Sequence, residues 1–233
     1  MAMQCLSYKD CDKYVIIVAG GSGRRMNAEL EKQFLPLGKS VVLLECLKKV
    51  HDSVPETSII VVLPKGRVDY WTELCDLYKC DIDHKVVEGG AERFYSVKAA
   101  VDSIQQSERR ILVAVHDGVR PFVDEGVFAR CFEVAFESGA AVASIDCVDS
   151  LRYDGKAIER AKVKLVQTPQ CFDFSLLKKA YSQEYESRFT DDASLVEAIG
   201  GEIVLVEGKK ENIKLTQPFD FLIAEKLIDG KGN

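Results

Sequence analysis

The chain has 233 residues, enough for one large α/β domain or two small ones. Its 47% apolar and 29% charged content exclude a disordered chain. The net charge of −6 excludes bulk attraction to nucleic acid or an anionic membrane, so any phosphate binding must come from local basic groups. Eight cysteines form no C-x-x-C pair and the three histidines lie far apart, so no zinc site is expected. Met1 to Lys13 is polar and mixed, unlike a signal peptide, and no apolar run approaches the ~18 residues of a membrane span. A reduced, cytoplasmic protein is the expectation.

The first element is a buried strand at Val15–Val18, too short and β-branched for a helix. It runs into Ala19-Gly20-Gly21-Ser22-Gly23-Arg24-Arg25-Met26, with Lys32-Gln33 downstream. The glycines allow a sharp turn with open N–H groups, and Arg25 and Lys32 add charge, so the stretch suits a triphosphate. Met26 in the third glycine position excludes the dinucleotide fingerprint, and the phosphate-loop pattern G-x-x-x-x-G-K-[ST] is absent. A flexible turn with solvated cations is the bland alternative.

A helix follows over 41–50, with Val41, Leu44, Leu47 and Val50 on one face, then a strand over 58–63. A helix over 68–78 carries Tyr70, Leu74 and Leu77, and a short strand over 85–87 ends in Glu88-Gly89-Gly90. A helix over 93–104 precedes a strand over 111–115, which stops at His116-Asp117-Gly118-Val119-Arg120-Pro121. A helix over 125–137 and a strand over 141–145 come next. This alternation predicts a mostly parallel sheet with helices on both faces. The loops at 19–33, 88–96 and 116–121 all follow strands, so they should converge at the carboxyl ends, where such sheets bind ligands.

At Asp149 the alternation breaks. Residues 149–168 read as a hairpin around Asp154-Gly155 that leaves the body, an arm that would bury itself best against a second subunit. A helix over 172–185 follows, then Thr190-Asp191-Asp192-Ala193 capping a helix through Ile199, a strand over 202–206 and a helix over 218–228. Residues 1–233 are expected to form one domain with an extruded arm.

Six motifs stand in register: the first glycine loop with Lys-Gln, Gly-Gly-x-x-Arg-x-x-Ser-Val at 89–97, His-Asp-x-x-Arg-Pro at 116–121, Gln-Thr-Pro-Gln at 167–170, Thr-Asp-Asp-Ala-Ser at 190–194 and Val-Glu-Gly-x-x-x-Asn-Ile-Lys at 206–214. Together they resemble the 2-C-methyl-D-erythritol 4-phosphate cytidylyltransferases of non-mevalonate isoprenoid synthesis. The resemblance spans about residues 14–228. It implies a Rossmann-like fold, CTP and a polyol phosphate as substrates, Mg²⁺ as cofactor, and a homodimer formed through the arm.

Residue by residue, the resemblance makes Arg25 and Lys32 the stabilisers of the α-phosphate. Ala19, Gly20, Gly21 and Gly23 become nucleotide contacts, Gly90 and Ser96 face cytosine, and Asp117 touches metal or ribose. Arg160 and Lys214 grip the substrate phosphate, with Ser150 and Thr168 as candidate hydroxyls. Arg120 would support its loop or the nucleotide. Position 91 is Ala where many relatives carry an acid, and Ile158-Glu159-Arg160-Ala161 departs from the usual arm. His116 reads as a packed histidine, Asp191 and Asp192 as helix caps. Ribitol 5-phosphate is the alternative acceptor, GTP or UTP the alternative donors. A nucleotide-binding regulator without chemistry is the rival of another class.

Overall fold

The computed structural model describes residues 7–20 and 30–230. In chain order the elements are β1 (Asp12–Val18), β2 (Pro36–Leu37), β3 (Ser40–Val41), α1 (Val42–Ser53), β4 (Ser58–Leu63), α2 (Val68–Leu77), β5 (Lys85–Glu88), α3 (Arg93–Asp102), β6 (Ile111–Asp117), α4 (Glu125–Ser138) and β7 (Ala140–Asp146). Then come β8 (Leu151–Tyr153), β9 (Lys156–Ile158), β10 (Lys164–Asp173), α5 (Phe174–Ala180), α6 (Asp192–Ala198), β11 (Val204–Glu207) and α7 (Pro218–Asp229).

Seven strands form one sheet in the order β11-β7-β10-β6-β1-β4-β5. Only β10 runs against its neighbours, pairing antiparallel with both β6 and β7. The remaining pairs are parallel. Alternation along the strands sorts the core into two layers. Val15 and Ile17 pack with Leu44, Leu47, Trp71, Phe128 and Phe132 of α1, α2 and α4. Ile16 faces the other way, against Phe94 and Val97 of α3, Leu177 of α5 and Leu195 of α6. The mostly parallel, doubly covered sheet is therefore as expected.

The expected hairpin is present over a shorter stretch. β8 and β9 do form an antiparallel hairpin, turning at Asp154 and Gly155 with φ of 48° and 75°. Two positive φ values in a two-residue loop give the twist such a hairpin needs, and Gly155 supplies one at no steric cost. The returning segment, however, is not arm. Residues 164–173 make β10, the strand inserted between β6 and β7, and the expected helix over 172–185 shrinks to 174–180. The polar run Gln167-Thr168-Pro169-Gln170 hides this strand, because all four residues are buried and satisfied internally instead of facing water. Register shifts between Val166 and Gln170, and the Thr168–Pro169 peptide is cis.

β6 also runs two residues further than periodicity suggests, so Asp117 is its last residue. That extension sets the site.

Candidate active site

Four parallel strands end level with one another. Val18 is in register with Val62 on one side and Asp117 on the other, and Leu63 with Glu88. Each loop is then stitched to its neighbour as it leaves the sheet. Ala19 N–H donates to Val62 O at 2.9 Å, Gly118 N–H to Val18 O at 2.9 Å and Gly89 N–H to Leu63 O at 2.8 Å. Gln33, 1% exposed, donates from Nε2 to Ala19 O at 2.7 Å and so ties the far end of the first loop back to its start.

Ser96 joins the first two loops. It is buried, and its Oγ donates to Glu92 O at 3.1 Å, with Gly90 O at 3.5 Å. A Cβ on Gly20 would lie 2.8 Å from that Oγ, and one on Gly89 would lie 2.6 Å from it. Both positions need glycine because the backbones close to that hydroxyl from two sides.

Asp117 is the electrostatic centre. Its Oδ2 sits 3.0 Å from Lys214 Nζ and 3.3 Å from Arg120 Nε, and its Oδ1 lies 3.9 Å from Arg93 Nε. Burial opposes ionisation of this carboxyl, but Lys214, Arg93 and Arg120 outweigh it and hold its pKa well below the usual carboxylate range. Two of these cations are fixed by other bonds. Arg120 Nη1 donates to Asn212 O at 2.7 Å, and Arg93 clamps Asp192 with both Nη atoms. Lys214 is different: its side chain is 41% exposed, and Asp117 is its ion-pair partner.

The loop carrying Lys214 is fastened from beneath. Asn212, fully buried, donates from Nδ2 to Thr168 O at 2.7 Å, and Leu215 N–H donates to Val119 O at 2.9 Å. Thr168 in turn holds Asp117. Asp117 N–H donates to Thr168 Oγ1 at 3.0 Å, and Thr168 Oγ1 lies 3.1 Å from His116 Nδ1. His116 Nε2 lies 3.0 Å from Arg120 O, which only accepts, so Nε2 carries the proton and Nδ1 accepts from the threonine hydroxyl. Burial lowers the His116 pKa to about 4, which keeps this tautomer neutral. His116 is thus a packed, hydrogen-bonded histidine, in line with its sequence reading.

The structure brings together Ala19, Gly20, Gly90, Ser96, Asp117, Thr168 and Lys214. Lys32 opens a 3-10 turn over Lys32–Phe34, immediately before the Gln33 anchor, with Asp220 of α7 among its charged neighbours. Gly21, Gly23 and Arg25 lie outside the described residues. Thr168 is 4% exposed with its hydroxyl engaged on both sides. Ser150 and Arg160 stand on the exposed arm, where Arg160 Nη1 donates to Val148 O at 2.7 Å. Within one chain, Lys214, Arg93 and Arg120 are the cations that act most strongly on Asp117.

Asp192 corrects the sequence reading. Asp191 alone is the N-cap of α6, in a capping box with Ser194. Asp192 is 0% exposed and belongs to an ion pair. Arg93 and Asn212 were legible only as motif letters, since their partners lie far along the chain. Oδ1 of Asp117, 3.9 Å from Arg93 Nε, would suit a hard divalent ion that completes its shell with phosphate and water. No group of three or more His, Cys, Asp or Glu forms a protein cage among the described residues.

The sequence profile for 2-C-methyl-D-erythritol 4-phosphate cytidylyltransferase matches residues 14–229. A relative bearing that name from Phocaeicola vulgatus is 46% identical over 221 residues, covering 93% of this chain and 100% of the relative. One from Bacteroides fragilis is 47% identical, covering 91% and 98%. Among solved structures, the 4-diphosphocytidyl-2C-methyl-D-erythritol synthase of Anaerococcus prevotii superposes with a TM-score of 0.80 at 27% identity, covering 95% of this chain and 98% of that one. The Thermus thermophilus 2-C-methyl-D-erythritol 4-phosphate cytidylyltransferase gives 0.70 at 31%, covering 93% and 98%. With the profile spanning nearly the whole chain, the protein belongs to the 2-C-methyl-D-erythritol 4-phosphate cytidylyltransferase family.

Proposed function

We propose that the protein transfers the cytidylyl group of CTP to 2-C-methyl-D-erythritol 4-phosphate, forming 4-diphosphocytidyl-2-C-methyl-D-erythritol and pyrophosphate. Besides family membership, one observation carries this reading: a half-exposed lysine and two fixed arginines meet on Asp117 at the rim where the glycine loops converge. Two polyanions must be forced into contact, and this rim concentrates the cations for it.

The substrate phosphate oxygen attacks the α-phosphorus of CTP in line, a P–O bond forms, and the bond to pyrophosphate breaks. No covalent enzyme intermediate is needed, so the protein contributes position and charge. The loops at Ala19-Gly20 and Gly90-Ser96 take the base and ribose, with Ser96 anchoring both. Arg25 and Lys32 neutralise the crowded α-phosphate. Lys214 leaves Asp117 for the 4-phosphate of the acceptor. Asp117 would hold Mg²⁺, which when bound offsets charge on the triphosphate.

Arg160 completes the acceptor site from a second copy of the chain, which accounts for its position on an exposed arm. Tyr153 on the same arm, and Leu165 and Val166 where β10 begins, are exposed apolar side chains of the kind a dimer covers. No helix among the described residues is long and apolar enough to cross a membrane.

Product analysis by phosphorus NMR tests the reading. Protein is supplied with Mg²⁺, one of CTP, UTP or GTP, and either methylerythritol 4-phosphate or ribitol 5-phosphate. The expected result is a diphosphate diester and pyrophosphate with CTP and methylerythritol phosphate. Preferential turnover of ribitol phosphate, or nucleotide binding with no product, would overturn it.

A further inference from the structure

Asp192 is a fully buried carboxylate that the reaction above does not use. Such a group costs several kcal/mol unless its charge and both oxygens are matched. Here the match is complete. Arg93 Nη1 donates to Oδ1 at 3.0 Å and Nη2 to Oδ2 at 2.6 Å, and the Tyr181 hydroxyl also donates to Oδ1. A two-pronged clamp of this kind fixes the plane of the guanidinium as well as its place. Tyr181 cannot drift, because its ring is 1% exposed and packs 5.2 Å from the Phe94 ring.

The clamp turns the remaining Nε edge of Arg93 toward Asp117 Oδ1. A chain of contacts thus runs from the end of α5 through the first turns of α6 and α3 to the last residue of β6. Asp117 then has two kinds of counter-charge. Arg93 and Arg120 are bolted to Asp192 and Asn212 O, while Lys214 is half exposed on a flexible stem.

We propose that Asp192, backed by Tyr181, is a positioning residue that locks Arg93 beside Asp117, so that Lys214 is released to a substrate phosphate without leaving Asp117 under-compensated. This rests on the reading of Lys214 as a phosphate ligand given above. When the lock is lost, Arg93 swings away and Asp117 holds Lys214 more tightly. The defect therefore falls on the acceptor phosphate and not on the nucleotide.

The test uses the full chain with Asp192→Asn, which keeps the shape and removes the charge, and Tyr181→Phe, which removes one hydroxyl. Pyrophosphate release is measured with each substrate varied in turn. Asp192→Asn is expected to raise the KM for the polyol phosphate about tenfold, or about 1.4 kcal/mol, with the KM for CTP unchanged. Tyr181→Phe should move it the same way by less. In a Lys214→Met background, Asp192→Asn should add nothing further. Equal loss of CTP affinity, or the full Asp192 effect persisting without Lys214, would overturn the proposal.

A second readout needs no turnover. Acylation of Lys214 by an amine-reactive ester, followed by mass spectrometry, should slow in both variants while the exposed Lys226 labels at the wild-type rate. Unchanged Lys214 labelling in a variant that melts like wild type would also overturn it. If the wild type prefers another donor or acceptor, the same kinetic split is measured with that pair, so the substrate assignment and the positioning role fail separately.

Discussion

Thr168→Val asks whether the threonine holds the site or faces the substrate. Valine matches threonine in shape and removes only the hydroxyl. At 4% exposure no water replaces it, so Asp117 N–H loses its acceptor and His116 Nδ1 loses its donor. Each orphaned buried group costs about 1–3 kcal/mol, which puts the combined loss at about 3 kcal/mol. For a chain of this length that is a fall in Tm of about 6–12 °C. Asp117 also loses its anchor, so kcat should drop together with the melting temperature. Scanning calorimetry and steady-state kinetics on Thr168→Val, with Thr168→Ser as the hydroxyl-retaining control, check both. Unchanged melting with only a raised KM for the polyol phosphate would refute the reasoning, and would make the hydroxyl a substrate contact.

Gly20→Ala should raise the KM for CTP about tenfold, because its Cβ would meet Ser96 Oγ at 2.8 Å; adding Ser96→Ala leaves a 3.5 Å contact to Cβ and should restore part of the loss. Stability should fall as pH drops from 6.5 toward 4. The unfolded His116 takes a proton near 6.5 and the buried one only near 4, so the unfolded state binds more protons in that window. This one group contributes on the order of 3 kcal/mol across the window, and denaturant melts of His116→Gln should show a correspondingly shallower pH slope than wild type. Asp117 adds a loss of the same sign below the ordinary carboxylate range, where its charge and its three cations are uncoupled. Mixing Arg160→Ala chains with Lys214→Met chains should restore turnover that neither shows alone, because a heterodimer contains one site with both residues intact; no restoration would remove Arg160 from a neighbour's site.

The parallel part of the sheet was readable because β1, β4 and β6 are continuous apolar runs between glycine-bearing turns. A common strand direction already placed the loops after β1, β5 and β6 at one rim. β10 was not readable, because Gln167, Thr168 and Gln170 are buried to serve hydrogen bonds and carry no apolar alternation. The same cause concealed the fastening of Asp117, whose N–H is held by a residue 51 positions away. Asp192 looked like a cap because it stands beside one. Only its partner Arg93, 99 positions earlier, shows it to be a buried ion. Contacts of that range leave no periodicity to read, and the family motifs preserve the letters without the geometry.

The central claim is that loops at one sheet rim press CTP and a phosphorylated acceptor together, with Lys214 passing from Asp117 to the acceptor. Pyrophosphate release from Mg²⁺, CTP and methylerythritol 4-phosphate, measured for wild type and Lys214→Met, tests it most directly. The account predicts turnover by the wild type and a loss of roughly 10²-fold or more in the variant at an unchanged melting temperature. Equal rates for the two proteins, or none from the wild type, would contradict it.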